Sequence, residues 1–365
     1  MCKKVMVAMS GGVDSSVAAA LLKEAGDVVC GATLKLFSGE QIEESSTRTC
    51  CSLTDVEDAR RVAHKMGFDH FVFNFGDDFR RCVMDKFVTS YQNGETPNPC
   101  IDCNRYIKFS KLLARARLLE NEYIATGHYA RIEFDAQSGR YLLKKAKDVS
   151  KDQTYVLYAM TQDELAHTLL PLGGLLKSEV RQMAQERGLI NARKPDSQDI
   201  CFVPDGDYAA FIERTTGVRA QEGNFIDTEG RVLGRHAGVI RYTIGQRKGL
   251  GITFGEPRYV IDKDAAANTV TLGRHEALFS DTLIAKDVNW IMIPSLTEPM
   301  QVRAKARYKQ PEVDAVISPL GGGRVACRFA QPQRAVARGQ AVVFCYIRPF
   351  PRIFLWLRSA RSRKV

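Results

Sequence analysis

Lys4 to Leu22 read KVMVAMSGGVDSSVAAALL: an apolar run, a two-glycine turn, then small and apolar residues at helical spacing. The pattern predicts a buried strand, a sharp turn and a helix closed by Gly26. Two adjacent glycines let the backbone approach an anion closely. A helix N-terminus offers unpaired N–H groups and a positive dipole end. Ser15 and Ser16 add hydroxyls. Asp14 is unwelcome beside bare phosphate, so it is expected to act with Mg²⁺ or to order the loop. The plain alternative is a tight strand-to-helix turn with no ligand. The loop has neither the Lys of a Walker loop nor the spacing of a dinucleotide fingerprint.

From this stretch to about residue 130, β-rich runs alternate with helical ones. VVCGATLKLF and HFVFNF read as strands, Thr54 to Glu57 as a capping box opening a helix through Met66, Asp78 to Gln92 as a helix, and EYIATG as a fourth strand. This alternation predicts an α/β domain with a doubly wound, largely parallel sheet, whose ligands bind beyond the carboxyl ends of its strands. After Pro204 short strands and Gly/Asp turns predict a small mixed domain. From about Asp281 short alternating strands predict a compact β-barrel or sandwich. The expected boundaries are 1–204, 205–280 and 281–365.

The chain of 365 residues carries a net charge of +10, which suits a polyanionic partner. Six of those charges lie in the last twenty residues, Tyr346 to Val365, which hold no acid. Ten cysteines are too sparse for a disulfide scaffold. No apolar run approaches the roughly 18 residues needed to span a bilayer, and Ser10 to Ser16 interrupt the resemblance of the first residues to a secretory signal. The expectation is a monomeric cytoplasmic protein with no membrane partner.

Two cysteines stand three apart in TPNPCIDCN, Thr96 to Asn104. Alone, such a pair is half a zinc site, a redox dithiol, part of an iron–sulfur ligand set, or a nucleophile beside a bystander. Cys50-Cys51 is a further pair, poorly spaced for joint ligation.

Ser10-Gly-Gly-Val-Asp-Ser15 behind a first strand resembles the PP-loop of ATP pyrophosphatases, which cleave ATP between the α- and β-phosphates. Further strings resemble one member family, the tRNA-specific 2-thiouridylases: Thr96-Pro-Asn-Pro with Cys103-Asn104, Ala125-Thr-Gly-His-Tyr-Ala130, Lys151-Asp-Gln153, Ser197-Gln-Asp-Ile-Cys-Phe202, and His236-Ala-Gly238 leading into Tyr242-Thr-Ile-Gly-Gln-Arg-Lys-Gly-Leu250. The resemblance runs from about residue 4 to about 344. It implies a PP-loop domain, a small central domain and a C-terminal barrel. The implied activity is ATP-dependent replacement of the C2 oxygen of the wobble uridine by sulfur, in the anticodon stem-loop of tRNA.

By the same resemblance ATP, with Mg²⁺, lies on Ala8, Met9, Ser10, Gly11, Gly12, Val13, Asp14 and Ser15, with Leu34 along the adenine side and Gly127 near the nucleotide. Cys201 receives sulfur as a persulfide from a donor such as a cysteine desulfurase or a sulfur-relay protein. Cys103 then releases sulfide or pairs with Cys201. Cys103 is expected to open a helix, with Arg105 and Lys108 nearby to favour its thiolate. The tRNA contacts implied are Asn98, Pro99, Cys100, His128, Lys151, Asp152, Gln153, Arg307, Tyr308 and Gln340. Many members carry aspartate where this chain has Cys100. That departure leaves Cys100, Cys103 and Cys201 as a candidate ligand set for a 4Fe–4S cluster. The tail after Phe344 departs as well, as an added basic arm or a changed last strand. The rival reading is a PP-loop synthetase or amidoligase acting on a small metabolite, which needs no cysteine pair.

Overall fold

The computed structural model describes residues 2–37, 53–196 and 200–346, and the backbone of Ile353–Ser359. Cys50, Cys51 and the Ser197–Asp199 part of one motif lie outside the described residues. The chain divides into two compact units, one holding residues 1–84, 99–206 and 350–354, the other 85–98, 207–349 and 355–365.

In the first unit, β1 (Lys4–Ala8), α1 (Val13–Glu24), β2 (Val28–Lys35), α2 (Leu53–Met66) and β3 (His70–Asn74) alternate as expected. Thr54 lies inside α2 rather than ahead of it, since the helix already includes Leu53. A short α3 (Gly76–Phe79) runs into a wide π turn, Arg80–Met84. In the second unit comes α4 (Asp85–Gln92).

Back in the first unit, α5 (Pro99–Asp102), a nine-residue π segment (Cys103–Lys111) and α6 (Leu112–Leu118) follow one another directly. Then come β4 (Tyr123–Ala125), the hairpin strands β5 (Ala130–Asp135) and β6 (Arg140–Lys145), α7 (Thr154–Leu157), α8 (Gln162–Ala166), β7 (Thr168–Leu169) and α9 (Lys177–Glu186). The sheet runs β3-β2-β1-β4-β7 with every pair parallel. Val5 and Val7 of the central strand are fully buried, and Ala19, Leu22, Ala59 and Val62 of α1 and α2 cover them. A parallel sheet covered in this way presents its ligand edge at the carboxyl ends of β1, β2 and β4.

In the second unit, α10 (Tyr208–Thr216) precedes β8 (Gly223–Ile226), β9 (Val232–His236), β10 (Tyr259–Asp264) and β11 (Thr269–Gly273), ordered β10-β11-β8-β9. Phe225, Val260, Val270 and Leu272 form the core of that small sheet. Next come β12 (Phe279–Asn289), β13 (Met300–Lys305), β14 (Val313–Gly321), β15 (Arg324–Arg334), β16 (Ala341–Tyr346) and β17 (Ile353–Ser359). They order β12-β15-β14-β13-β16-β17, and β17 also pairs with β12. The unusual tail therefore supplies a strand between β16 and β12. Of the two sequence readings it is the changed last strand that describes Ile353–Ser359.

Candidate functional site

The turn after β1 is shaped by its glycines. Gly11 has φ +71°, and a Cβ there would overlap the carbonyl oxygen of Asp55 at the start of α2. Only glycine meets both conditions. Gly12 caps α1 in an extended conformation and gives it no side-chain cap. Both serine hydroxyls turn inward: Ser15 Oγ and Ser16 Oγ donate to Gly12 O at 3.1 and 3.0 Å, and Ser15 Oγ accepts from Ser10 N. They build the loop, where the sequence had offered them as donors to a ligand. What remains for an anion is backbone N–H at the first turn of α1.

Gly127, after β4, brings a second backbone against that turn. A Cβ on it would stand 2.7 Å from Asp14 C and Ser15 N. Thr33 on β2 donates its hydroxyl to Met9 O at 2.7 Å, fixing the chain as it leaves β1. Thr33 Oγ1 also faces His70 Nε2 at 2.9 Å. Burial, helped by the Arg60 charge, lowers His70 to about 4, so its ring is neutral at ordinary pH.

Asp14 is engaged by protein rather than left for a metal. Lys177 Nζ lies 2.7 Å from both of its oxygens, and Tyr129 donates its hydroxyl to Oδ1 at 2.9 Å. The lysine is the first residue of α9, whose Val180 and Ala184 pack with Val13, Val17 and Ala18 of α1. That helix pairing carries Lys177 onto the loop. Lys177 Nζ also reaches Asp196 at 2.8 Å, and Asp196 takes further ion pairs from Lys151 and Arg181, each at 2.9 Å. Burial pushes Asp196 up, but hydrogen bonds from Lys151 and Lys177 prevail and hold it at about 2. Burial and the Asp14 charge push the Tyr129 phenol far up, so it stays a donor.

Residues 191–196 complete the loop's support. Asn191 Nδ2 donates to Gly11 O and Ser16 Oγ, both at 2.9 Å. Lys194 Nζ binds Asp55 and Asp58 of α2 at 2.5 and 2.8 Å. Lys177, Asn191 and Asp196 were not singled out from the sequence, and Tyr129 stood in a quoted motif without a role. The one available signal was Asp14 itself, which needed a cation from somewhere.

The cysteine-bearing helix starts four residues earlier than expected. Pro99 is its first residue, where a fixed φ and a missing N–H cost nothing. Cys100 is exposed on the first turn, and Cys103 is buried at the start of the π segment. The helix-opening position expected for Cys103 is therefore corrected. Asn104 donates to Val156 O of α7 at 2.9 Å, while its Oδ1 is buried without a partner among the described residues. Partly buried Cys201 precedes Phe202, whose ring meets Phe79 edge-on at 5.7 Å. Phe79 ends α3, and α3 and the first π turn both pack against the π segment that Cys103 opens. Phe202, beside Cys201, and the π segment that Cys103 opens thus both pack against α3.

Among the described residues no group of three or more His, Cys, Asp or Glu side chains is placed to hold a metal ion. Cys100, Cys103 and Cys201 do not form such a set among the described residues. Mg²⁺ asks less of a protein, since phosphate oxygens and water fill most of its shell.

The expected tRNA contacts divide. His128 is buried, bonded to Thr126 Oγ1 at 2.7 Å, and lies against Phe109 of the π segment. Burial and the Lys108 charge hold it well below the usual histidine range. Lys151 serves Asp196. Asp152 accepts from Ala146 N and Thr154 Oγ1, and Gln153 accepts from Tyr129 N. These three side chains shape their loop.

In the second unit Thr96 N donates to Arg338 O at 2.9 Å, bringing the Asn98 stretch beside the turn that carries Gln340. Arg307 donates to Ile244 O at 3.0 Å, tying the Tyr242–Leu250 run to the barrel. Tyr308 is exposed, with Lys305 over its ring.

Comparison with known proteins finds matches from residue 3 to residue 346. Family models described as tRNA methyl transferase HUP domain, tRNA methyl transferase PRC-barrel domain and aminomethyltransferase beta-barrel domain match residues 3–205, 209–274 and 280–346. The chain is 52% identical over 343 residues to tRNA-specific 2-thiouridylase MnmA of Clostridioides difficile (strain 630), covering 94% of this chain and 95% of that one. It is 54% identical over 344 residues to tRNA-specific 2-thiouridylase MnmA 1 of Thermoanaerobacter sp. (strain X514), covering 93% and 94%. The corresponding protein of Acetivibrio thermocellus is 52% identical over 343 residues, covering 94% and 96%. With half of its residues shared over more than nine-tenths of each relative, this chain belongs to the tRNA-specific 2-thiouridylase family.

Proposed function

We propose that this protein is an ATP-dependent tRNA sulfurtransferase that converts the wobble uridine to 2-thiouridine. The observation that carries the reading is the loop between β1 and α1, with backbone donors at an uncapped helix start, Gly127 set against it and Lys177 held at its edge. That arrangement suits a polyphosphate. The family-model descriptions speak of methyl transfer, a reaction that has no use for a polyphosphate cradle. Similarity to thiouridylases over nearly all of the chain leaves the small-metabolite synthetase unfavoured.

The carbonyl oxygen at C2 is a poor leaving group. It attacks the α-phosphorus of ATP, pyrophosphate departs, and the oxygen becomes part of an adenylate. Backbone N–H groups at the first turn of α1, with Lys177 at the loop's edge, face the charge developing on the departing phosphates. A persulfide on Cys201 then attacks C2 through its outer sulfur, and AMP leaves with the oxygen. Cys103 thiolate attacks Cys201 Sγ, the S–S bond to the base breaks, and its electron pair stays on the sulfur at C2. The resulting Cys103–Cys201 disulfide is reduced by an external thiol before the next cycle. In the variant route Cys103 cleaves the persulfide first and sulfide itself attacks C2.

The assignment of ATP to Ala8–Ser15, Leu34 and Gly127 belongs to this proposal, as does Mg²⁺ arriving with the nucleotide. So do RNA contacts by Asn98, Pro99, Cys100, Tyr308 and Gln340, a persulfide-donating protein partner, a cytoplasmic monomer, and domains bounded near 204 and 280. Among the described residues no helix is long and apolar enough to cross a membrane.

The test supplies the full chain with a tRNA transcript, ATP, a thiol reductant and a cysteine desulfurase charged from ³⁵S- or ³⁴S-labelled cysteine, and identifies the labelled nucleoside by mass spectrometry. Labelled 2-thiouridine with stoichiometric pyrophosphate is the expected result. Pyrophosphate release dependent on a small-molecule acceptor, with no label in tRNA, would overturn it.

A further inference from the structure

The run Tyr242–Leu250, which stands out in the sequence, takes no part in the chemistry described above. Both of its ends are core residues: Tyr242 and Leu250 are each 5% exposed and pack with Phe225, Val260 and Leu272. Between them the chain is bonded to β10, Gly245 N donating to Val260 O at 2.8 Å and Val260 N to Gln246 O at 3.0 Å. Gln246 also closes the loop on itself, accepting from Thr243 N and donating to Lys248 O. Three cationic side chains from elsewhere in the second unit then donate to carbonyls of the same run. Lys263 Nζ reaches Tyr242 O at 2.8 Å, Arg307 reaches Ile244 O at 3.0 Å, and Arg334 reaches Gly245 O at 3.4 Å. Lys263 is only 3% exposed, and Tyr242 O is the one hydrogen-bond acceptor of its ammonium among the described residues. A buried charge is unfavourable unless its bonds are made, so this lysine holds the loop carbonyl firmly.

The braced run presents two cations of its own. Arg247 and Lys248 are exposed, and neither side chain has an ion pair or hydrogen bond among the described residues. Gly245 at φ +91° and Gly249 at φ +71° bend the chain on either side of them. No acid stands between Arg241 and Gly255.

We propose that Arg247 and Lys248 contact the phosphodiester backbone of the substrate RNA, with Lys263, Arg307 and Arg334 as the positioning residues that hold them out. The tip has charge but no aromatic ring on which a base could stack. It also has no large apolar side chain to form the centre of a protein interface. Phosphate contact needs only the cations. A loop already fixed by the fold loses little freedom on binding, so its contacts are not offset by ordering. Arg307, expected by resemblance to touch tRNA itself, acts here through the loop whose carbonyl it binds.

This inference rests on tRNA being the substrate, but its test needs no turnover. Binding of the full chain to a fluorescently labelled tRNA transcript is followed by anisotropy in potassium chloride from about 50 to 200 mM. Replacing Arg247 and Lys248 together by glutamine should weaken binding about tenfold or more. It should also reduce the slope of log affinity against log salt by about two, one for each phosphate contact. Arg247→Lys combined with Lys248→Arg keeps both charges and should keep the slope. Lys263→Met leaves the tip charges in place but frees the loop, so affinity should fall about threefold with the slope unchanged. Should Lys263→Met fail to fold, Arg334→Gln releases Gly245 and should act in the same way.

A double glutamine variant with the wild-type slope would overturn the contact, whether the tip then faces solvent or a protein. A Lys263→Met protein that binds tRNA as tightly as the wild type would overturn the bracing. Thiolation assayed on the same wild-type preparation separates these failures from that of the proposed function. A reduced slope in the variant of a protein that thiolates nothing contradicts the function alone. An unchanged slope in the variant of an active enzyme contradicts the contact alone.

Discussion

The phosphate loop and the cysteine sector lie in one unit and are built on opposite principles. Around the loop ion pairs and bonds to backbone dominate, although Asn191 Oδ1 and His70 Nδ1 are buried without partners among the described residues, and two glycines admit backbone where no side chain fits. Around the cysteines the helix is widened into π turns, the packing is aromatic, and Asn104 keeps a buried oxygen without a partner among the described residues. A network so bonded is rigid and pre-organised. Wide helical turns recur at functional sites because they sacrifice regular bonding for placement. In the proposed cycle the loop binds the same polyphosphate each time, whereas the cysteines alternate among thiol, persulfide and disulfide, which demands tolerance of several geometries.

If the two sectors carry separate halves of the reaction, the largest effect comes from the sulfur half. Cys201→Ser and Cys103→Ala should each lower thiolation by about a thousandfold or more while pyrophosphate still forms with tRNA present, measured by coupled phosphate release. Equal loss of both products would erase the contrast. Next is Gly127→Ala, which puts a methyl group 2.7 Å from the backbone of Asp14 and Ser15. A backbone collision of this kind should weaken ATP binding by about 2 kcal/mol or more, read by calorimetry, with Cys103 alkylation unchanged.

Lys177→Met leaves two carboxylates facing one another. Because the lysine side chain is only 10% exposed, the thermal midpoint should fall by an amount corresponding to about 2 kcal/mol, and adding Asp196→Asn should recover part of it.

The smallest effect is on pH dependence. His70 titrates lower when folded, so as pH falls below about 6.5 the unfolded chain takes up the proton first. Stability conferred by the neutral ring is present above that value and lost down to about 4. His70→Gln should flatten that part of the profile by about 1 kcal/mol in denaturant titrations. Asp196 acts in a lower window: its contribution is present above the unfolded carboxylate value of about 4 and disappears toward about 2.

What could be read from sequence follows the range of the interactions. The parallel sheet and the loop were legible because strand, turn and helix are contiguous, and because the Ser-Gly-Gly-x-Asp-Ser string is local. Asp14 was recognised as needing a partner, yet the partner lies 163 residues away and nothing near either residue links them. Cys103 was placed at a helix start although Pro99 is the better signal for one, and π widening has no sequence signature as plain as a proline. Lys151, Asp152 and Gln153 look like ligand-facing residues in a string and are bonded inward in the fold. The tail left two readings open, a basic arm or a changed last strand, because its charges stand out as much as the short apolar run that forms β17.

The enclosure of the Lys177 ammonium bears on how the two binding events respond to ionic strength. Mobile ions screen charges in solvent over about 10 Å at ordinary salt, and reach a pair with little exposed surface far less effectively. RNA held by exposed side chains sheds affinity steeply as salt rises. A concentration of neutral salt should therefore exist at which tRNA has dissociated while the loop, its lysine and the segment before Cys201 are still joined. At that concentration the nucleotide half of the cycle can be studied on the intact protein with its nucleic-acid partner removed by solvent alone.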